Sequence, residues 1–354
     1  MLTELTVRNF RCFEQARLDL HPASTLLIGR NAQGKTSLIE AACVLLRLQS
    51  PRTSSKGDFI RFGEKTCVIE GRAEDHYLRF AANHATRRLA VDDAVCGHTA
   101  DYLASSSLVV WMDHSDMNLL RGGTEHRRRY LDFAGSQIFP DYLKALRGYD
   151  RALRSRNYLL KKDAVVNWKQ AEAYARVMDD FAHTLTARRA ELILRLRPEV
   201  GVMHQALGGG EVADVEYAAG TDERGLFEML CGLRTEEERS RTTAAGAHRD
   251  DLMLRVNGRD ASSFASEGQQ RTLALSLKLA QARVIEGVKG CAPLLLIDDI
   301  FGELDKTRRR AVLNCLPSAS QKIITTTHLD WADEGDVRGS VIEVEAGKVR
   351  AVPG

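Results

Sequence analysis

A glycine-rich segment near the N-terminus restricts the chain to a small group of folds. Its residues are Gly29, Arg30, Asn31, Ala32, Gln33, Gly34, Lys35 and Thr36. They fit the pattern G-x-x-x-x-G-K-[ST], with the strand-like stretch TLLI before it and a helical pattern from Lys35 to about Leu48 after it. This strand–loop–helix context predicts an α/β fold with a phosphate-binding loop, and it argues against a glycine turn without function.

The residue types of this loop suit the binding of a nucleoside triphosphate. Glycines let backbone N–H groups surround phosphates, and the helix N-terminus adds the positive end of its dipole. Lys35 would reach the β- and γ-phosphates, and the Thr36 hydroxyl would bind Mg²⁺. The loop therefore predicts a nucleoside triphosphate and Mg²⁺ as cofactors.

A second motif places acidic residues after an apolar strand. The stretch PLLLIDD ends in Asp298 and Asp299, which is the Walker B arrangement. Asp298 would hold Mg²⁺, and Asp299 would polarise the attacking water. A core strand ending in a solvated acidic turn is the alternative, and the phosphate-binding loop elsewhere in the chain makes it less plausible.

Two weaker signals complete the set. The segment Ser266-Glu267-Gly268-Gln269 stands directly before a helical run, where a hydroxyl, a free N–H group and a helix dipole could bind an anion. His328 follows the strand-like KIITTT. Alone, the first reads equally as a helix N-cap and the second as a structural histidine.

Composition narrows the class of protein. The 354 residues are 44% hydrophobic and 28% charged, which is typical of a globular chain and not of disorder. The net charge of +2 excludes a strongly basic nucleic-acid coat protein but not a local basic face. Seven scattered cysteines without a C-x-x-C pair argue against zinc and disulfides. The sequence lacks a signal-peptide pattern, and we expect a cytoplasmic protein.

The order of elements predicts an α/β unit interrupted by helices. Two amphipathic helices, with Asp163 to Asn167 as their connection and Pro198 as the end of the second, would reach about 30 and 45 Å at ~1.5 Å per residue. We expect an ATPase head with mixed and parallel sheets, formed by residues 1–112 and 208–354, and an inserted α-helical lobe at 113–207.

The sequence of motifs resembles the ABC-type ATPase head. The motifs appear in the order phosphate-binding loop, S-x-G-Q, DD, Leu304-Asp305 and His328. The resemblance implies that two subunits enclose two ATP molecules, with Ser266, Gly268 and Gln269 acting in trans as the signature motif.

The same resemblance assigns three further roles. Asp305 would belong to the D-loop that crosses the interface, and His328 would sense the γ-phosphate. Asp299 stands where the family has Glu, so hydrolysis is expected to be slow. The stretch from Gln49 to Arg61 is the place to look for the glutamine loop.

Longer segments resemble the RecF family of bacterial recombination mediators. They are LTVRNFRCF, the GAHRDD of Gly246 to Asp251, the segment from Gly122 to Lys161, and SEGQQRTLALSLKLAQA. The family usually has proline in place of Ala247 and P-E-D in place of His114-Ser115-Asp116, which puts only local loop shape in doubt. The resemblance implies binding of duplex and gapped DNA, with RecR and RecO as partners and loading of RecA as the outcome.

Arginines within the predicted lobe are candidates for contacting DNA phosphates. They are Arg127, Arg128, Arg129, Arg147, Arg151 and Arg154. The last three share one helical face by their spacing of 4 and 3. Such a face neutralises phosphates without reading sequence, and a solvated arginine face is the alternative.

Three other functions fit part of the pattern. A transporter ATPase would lack the helical insertion and the NFR opening. An SMC-like tether needs a coiled-coil arm of hundreds of residues. An ABC-type ATPase acting with a nuclease partner in phage defence remains open, and gene neighbourhood would distinguish it.

Overall fold

A computed structural model describes residues 1–53, 55–208, 210–328 and 339–352. The chain forms two compact units. One consists of Met1–His114 and Ile285–Gly354, and the other of Ser115–Val284. We describe each unit by itself.

The strands are two to nine residues long. They are β1 (Leu2–Phe10), β2 (Phe13–Asp19), β3 (Ser24–Ile28), β4 (Thr66–Ala73), β5 (His76–Asn83), β6 (Arg87–Val91), β7 (Ala94–Val95), β8 (Val109–Met112), β9 (Ala213–Ala218), β10 (Asp251–Val256), β11 (Arg259–Asp260), β12 (Leu294–Asp298), β13 (Lys322–Thr326), β14 (Ser340–Glu345) and β15 (Lys348–Val352).

The α-helices are concentrated in the second unit. They are α1 (Lys35–Arg47), α2 (Thr99–Ala104), α3 (Asn118–Arg121), α4 (Thr124–Ile138), α5 (Tyr142–Lys162), α6 (Trp168–Ala206), α7 (Leu226–Gly232), α8 (Arg234–Ser240), α9 (Ala261–Phe264), α10 (Glu267–Lys289) and α11 (Lys306–Cys315). Short 3₁₀ helices lie at Lys56–Phe59, His114–Met117, Ala247–Arg249 and Phe301–Glu303.

The first unit contains two six-stranded sheets. One is antiparallel in the order β2-β1-β4-β5-β6-β7, and the other has the order β15-β14-β3-β13-β12-β8, with β14, β3, β13, β12 and β8 parallel. Helix α1 contacts strands of both sheets, and every side chain from Ser37 to Arg47 is buried. A helix covered on all sides fits the apolar run from Leu38 to Leu46, which only Glu40 interrupts. The predicted mixed α/β architecture is therefore found in this unit.

The second unit is built on α5 and α6, which pack along each other. Their connection falls at Asp163 to Asn167, as predicted, because α5 ends at Lys162 and α6 begins at Trp168. Asn167 caps α6 by accepting a hydrogen bond from the Gln170 N–H group. The 21 residues of α5 span about 32 Å at ~1.5 Å per residue.

The predicted end of the second helix was wrong. Pro198 lies inside α6, which continues to Ala206, so its 39 residues span about 58 Å. Proline removes one backbone hydrogen bond from a helix interior. Here the last two turns carry the buried side chains Val200, Met203 and His204, whose packing compensates for that loss.

The compact units do not coincide with the predicted domains. The second unit continues past residue 207 to Val284, because β9 packs on α6 and β10 packs on α4. The assignment of residues 208–284 to an ATPase head therefore stays a prediction about function. Within the described residues, no helix combines the length and apolar composition needed to cross a membrane.

A buried ion pair links α5 to α8. Arg156 donates to both carboxylate oxygens of Glu237 at 2.7 Å, and their side chains are 1% and 0% exposed. Arg156 also donates to the Thr243 hydroxyl at 2.9 Å, and Glu237 accepts from the Ala244 N–H group at 2.9 Å. Removal of one partner would leave an unpaired charge in the interior.

We therefore expect Glu237→Ala to lower the free energy of unfolding by about 3–5 kcal/mol. The matched control is Glu125→Ala, which breaks the exposed pair with Arg129 and should cost less than about 1 kcal/mol. Urea denaturation followed by circular dichroism measures both. Equal losses in the two variants would contradict the structural role of the buried pair.

Candidate nucleotide-binding site

The parallel strands bring the two nucleotide motifs to one edge of the sheet. Strand β13 lies between β3 and β12, with Thr326 paired to Ile28 and Thr325 paired to Asp298. The loop that follows β3 and the acidic end of β12 therefore emerge side by side. Loops at the carboxyl ends of parallel strands are the usual location of ligand sites in α/β sheets.

Two glycines give the loop after β3 its shape. Gly34 has φ 110°, and a Cβ atom there would lie 2.7 Å from the Phe13 ring and 2.8 Å from Cys12 Sγ. Gly29 has φ 153°, and its Cβ atom would lie 2.2 Å from the Val344 carbonyl oxygen. Both positions therefore need the absence of a side chain as well as the freedom of glycine.

The loop ends at the N-terminus of α1 without a side-chain cap. Backbone N–H groups in the first turn are thus available to a negatively charged ligand. Lys35 is 6% exposed, and its Nζ donates to the carbonyl oxygens of Gly29 at 2.6 Å and Arg30 at 2.9 Å. Burial lowers the pKa of the Lys35 ammonium, and the nearby Asp299 and Asp298 act against that shift.

Asp298, at the end of β12, joins β13 and the start of α1 at the site. It accepts hydrogen bonds from the hydroxyls of Thr36 at 2.9 Å and Thr325 at 2.6 Å. Burial raises the pKa of the Asp298 carboxyl, whereas these two hydrogen bonds lower it. Asp299 follows with φ 53°, and its N–H group donates to the Thr325 hydroxyl at 3.0 Å.

These groups line a cavity of about 300 Å³. Its lining residues are Cys12, Asn31, Ala32, Gln33, Gly34, Lys35, Thr36, Ser37, Arg52, Asp298 and Asp299. An uncapped helix N-terminus beside a lysine fits a polyphosphate, and a threonine hydroxyl bonded to a carboxylate fits Mg²⁺. The described part of the chain has no group of three or more His, Cys, Asp or Glu side chains placed to hold a metal. A magnesium ion here would complete its shell with phosphate oxygens and water.

Sequence reasoning missed an arginine on the cavity wall. Arg52 donates to Glu40 at 3.2 Å, and Arg11 donates to the same carboxylate at 2.6 and 2.9 Å. Glu40 is fully buried in α1 and also accepts from the Ser50 hydroxyl at 2.6 Å. One carboxylate thus faces two guanidinium groups, which leaves a positive surplus beside the cavity. Arg52 belongs to the stretch from Gln49 to Arg61, where the glutamine loop was expected, and position in that stretch was its only signal.

Gln33 of the loop also has hydrogen-bond partners in the first unit. Gln33 accepts a hydrogen bond from the Ala346 N–H group at 2.7 Å, at the turn between β14 and β15. Its Nε2 donates to the Asn31 carbonyl at 3.3 Å. The C-terminal hairpin therefore supports the loop at Gln33 and, through Val344, at Gly29.

The predicted signature segment lies in the second unit and begins α10. The Ser266 hydroxyl accepts from the Gln269 N–H group at 3.3 Å, and the Gln269 side chain accepts from the Ser266 N–H group at 2.8 Å. This reciprocal pair is a capping box. Gly268 follows the cap in the first turn of the helix.

Asp305 and His328 belong to the first unit and are not among the cavity-lining residues. Asp305 caps α11, accepting from the Arg308 N–H group at 2.9 Å. His328 is exposed just after β13, with its Nδ1 2.7 Å from the Thr327 hydroxyl. Their predicted roles between subunits stay predictions.

The candidate arginines differ in their hydrogen-bond partners and in their exposure. Arg127 makes two hydrogen bonds to Asp251 at 2.6 and 2.9 Å, and its side chain is 15% exposed. Arg128 donates to the Thr124 hydroxyl and the Asp250 carbonyl, whereas Arg129 forms an exposed pair with Glu125. The three candidate arginines on α5 are exposed, and they are Arg147, Arg151 and Arg154.

Comparison with known proteins gives matches over nearly the whole chain. The family model described as the RecF/RecN/SMC N-terminal domain matches residues 1–350. The DNA replication and repair protein RecF of Rippkaea orientalis is 33% identical over 98% of this chain and 99% of its own length. RecF of Thermosynechococcus vestitus is 35% identical over 99% and 97%, and RecF of Listeria monocytogenes serotype 4b is 32% identical over 99% of both chains.

Solved structures give the same result for the fold. The recombination mediator RecF of the RecFOR pathway, solved with ATP, has a TM-score of 0.88 at 27% identity and covers 99% of this chain and 97% of that chain. An Smc head bound to the C-terminal winged-helix domain of ScpA has a TM-score of 0.56 at 14% identity, over 99% of this chain and 96% of that chain. The second likeness shows the fold alone. The predicted fold class, an ABC-type head with mixed sheets and a helical lobe, is confirmed.

The geometry of the loop leads to a test of the cavity. We expect Gly34→Ala to weaken nucleotide binding about tenfold or more, because strain of about 1–3 kcal/mol at a left-handed position must be relieved by moving the loop. Gly63→Ala is the matched control, since Gly63 also has a left-handed φ of 88° but no atom within 4 Å of the added Cβ. Titration with a fluorescent ATP analogue measures both. Similar affinities in the two variants would mean that this loop does not bind the nucleotide.

Proposed function

The chain belongs to the RecF family of DNA replication and repair proteins, and we propose that it is an ATP-dependent DNA-binding clamp of recombinational repair. The observation that carries this proposal is the hydrogen bond of 2.9 Å from Thr36 to Asp298. It joins the two nucleotide motifs across a separation of 262 residues in sequence. Family membership supports the assignment to recombinational repair, and the geometry of the site supports the dependence on ATP.

The site residues divide the work of a slow ATPase. The N–H groups of the loop and Lys35 would bind the β- and γ-phosphates, while Thr36 and Asp298 would hold Mg²⁺, which neutralises charge developing on the phosphates. Asp299 would orient the attacking water. Its side chain is one methylene shorter than the Glu of related ATPases, which supports slow turnover.

We propose that two subunits pair head to tail when each holds ATP. Ser266, Gly268 and Gln269 would then face the γ-phosphate bound by the other subunit, and Asp305 and His328 would contribute at the same interface. The capping box supports this role. Because the Ser266 hydroxyl accepts within its own chain, its proton stays available to an anion. Hydrolysis would release the partner and then the DNA.

Duplex and gapped DNA are the proposed ligands of the clamp. Arg147, Arg151 and Arg154 form an exposed cationic face on α5, suited to phosphates in any sequence. Arg128 and Arg129 lie on the preceding helix, α4. Arg127 is left out of this surface, since Asp251 already holds it.

Family membership also suggests the partners. The clamp would act in the cytoplasm with RecR and RecO to promote loading of RecA. In this proposal residues 1–112 and 208–354 act as the ATPase head and residues 113–207 as the lobe that contacts DNA.

The in-trans arrangement is tested by Ser266→Arg. A long cation at Ser266 should block the interface while leaving the subunit's own cavity intact, so we expect normal ATP affinity but a monomer in ATP by sedimentation. Mixing with Lys35→Ala should restore one composite site and part of the ATP-dependent DNA binding. Ser318→Arg, which adds the same charge on an exposed loop, is the control and should dimerise normally. Loss of ATP binding in Ser266→Arg alone would show that the motif acts in cis.

The arginine face is tested by the triple change Arg147→Ala, Arg151→Ala and Arg154→Ala. Each phosphate contact contributes about 0.9 to the slope of log K against log salt concentration, so the slope should fall by about 2–3. The control removes the same charge from exposed positions of the first unit, with Arg8→Ala, Arg72→Ala and Arg88→Ala. Gel-shift titrations at several salt concentrations give the slopes. An unchanged slope in the α5 variant, or an equal loss in the control, would contradict a DNA-binding role for α5.

A further inference from the structure

The signature segment is held by a residue outside every motif. Gln269 donates from Nε2 to the Glu211 carboxylate at 2.6 Å, while its Oε1 accepts from the Ser266 N–H group at 2.8 Å. Glu211 lies between α6 and β9, 58 positions before Gln269 in sequence. A side chain from another part of the second unit therefore reaches the start of α10.

Glu211 is in turn adjacent to a buried histidine. Its Oε2 lies 3.5 Å from Nε2 of His204, which is fully buried near the end of α6. The Nδ1 of His204 is 3.5 Å from the Ser276 hydroxyl on α10. Burial lowers the pKa of His204, and the hydrogen bond from Gln269 lowers the pKa of Glu211. At neutral pH Glu211 is therefore an ionised acceptor beside a neutral imidazole.

The two bonds of Gln269 fix the orientation of its carboxamide. Its oxygen must face the Ser266 N–H group, so its NH₂ group must face an acceptor, and Glu211 supplies that acceptor. Without the carboxylate the amide could rotate, and the reciprocal cap that holds Ser266 would loosen. Hydrogen bonds to charged groups are among the stronger ones in proteins, which makes this restraint effective.

We propose that Glu211 is a positioning residue that sets the Ser266 hydroxyl for contact with the nucleotide of the partner subunit. This role rests on the proposed in-trans arrangement. Glu211 would act through Gln269 and would touch neither nucleotide nor DNA. It would govern the ATP concentration needed for pairing of subunits, and not the affinity of the subunit's own cavity.

The structure offers a matched control, an ion pair between α6 and α10 that lies away from the signature segment. Glu199 on α6 lies 3.7 Å from Arg283 on α10 and so links these two helices. Arg283 is 14 positions beyond Gln269, about 21 Å along the helix at ~1.5 Å per residue. Loss of this link should not reach the signature segment.

The test compares Glu211→Ala, Glu211→Gln and Glu199→Ala in the full chain. Light scattering gives the ATP concentration for half-maximal dimerisation, and a fluorescent ATP analogue gives the affinity of the single subunit at low protein concentration. We expect Glu211→Ala to need about tenfold more ATP for dimerisation, because it removes a hydrogen bond to a charged acceptor. Its single-subunit affinity should be unchanged. Glu211→Gln keeps an acceptor oxygen and should restore pairing, and Glu199→Ala should pair like the unmodified chain.

Three outcomes would overturn the proposal. They are wild-type pairing by Glu211→Ala, an equal defect in Glu199→Ala, and a loss of single-subunit nucleotide affinity in Glu211→Ala. Should Glu211→Ala fail to fold, Glu211→Met keeps the length of the side chain, lacks the carboxylate that accepts from Gln269 and carries the same expectation. If Ser266→Arg fails to pair but Glu211→Ala pairs normally, only the proposed role of Glu211 is contradicted. If Ser266→Arg pairs normally, the in-trans arrangement itself is contradicted.

Discussion

Asp298 accepts hydrogen bonds from Thr36 and Thr325, and the whole nucleotide site depends on this shared carboxylate. Thr36 belongs to the first turn of α1, Thr325 to β13 and Asp298 to the end of β12, so two strands and the helix after β3 are joined at one edge. A half-buried carboxylate is stabilised by such donors, because they replace hydrogen bonds to water that the protein excludes. A shift of β12 or β13 by one residue would turn Asp298 or Thr325 to the opposite face and break the set. The register of the parallel sheet therefore determines whether the two motifs can act together.

Features that depend on neighbouring residues could be predicted from the sequence. The loop from Gly29 to Thr36 follows a short apolar strand and begins a helix, and all of this is encoded within one strand–loop–helix unit. Thr325 could not be assigned, because its role depends on β13 lying between β3 and β12. Glu40 and Arg52 could not be assigned either. Their pairing is set by how α1 packs against the segment after it, and no periodic pattern in the sequence encodes that contact.

Clusters of charged residues also show that a local sequence pattern does not determine which side chains share a surface. Arg127, Arg128 and Arg129 are consecutive, and successive helical residues point about 100° apart, so one run cannot form one surface. Asp251 holds the first, and of the three only Arg129 is exposed. The spacing of Arg147, Arg151 and Arg154 is different, because it follows the helical repeat and was enough to predict a common face. Pro198 is a related case. A local rule for ending a helix failed where the buried residues beyond the proline gave the longer helix enough contacts.

Ser266 and Asp305 bear on a wider question, whether a helix cap and a functional group are competing interpretations of one residue. A serine hydroxyl has one proton and two lone pairs, and capping uses a lone pair, so Ser266 can hold its own helix and still donate to a phosphate. The cap also fixes the rotamer, which removes the entropy cost of ordering the side chain when a ligand arrives. Asp305 differs, since an ionised carboxylate has no proton to donate and its cap to Arg308 leaves only acceptor capacity. Any contact that Asp305 makes across an interface must therefore be with a donor. Capping is thus a condition for the proposed role of Ser266 and a constraint on that of Asp305.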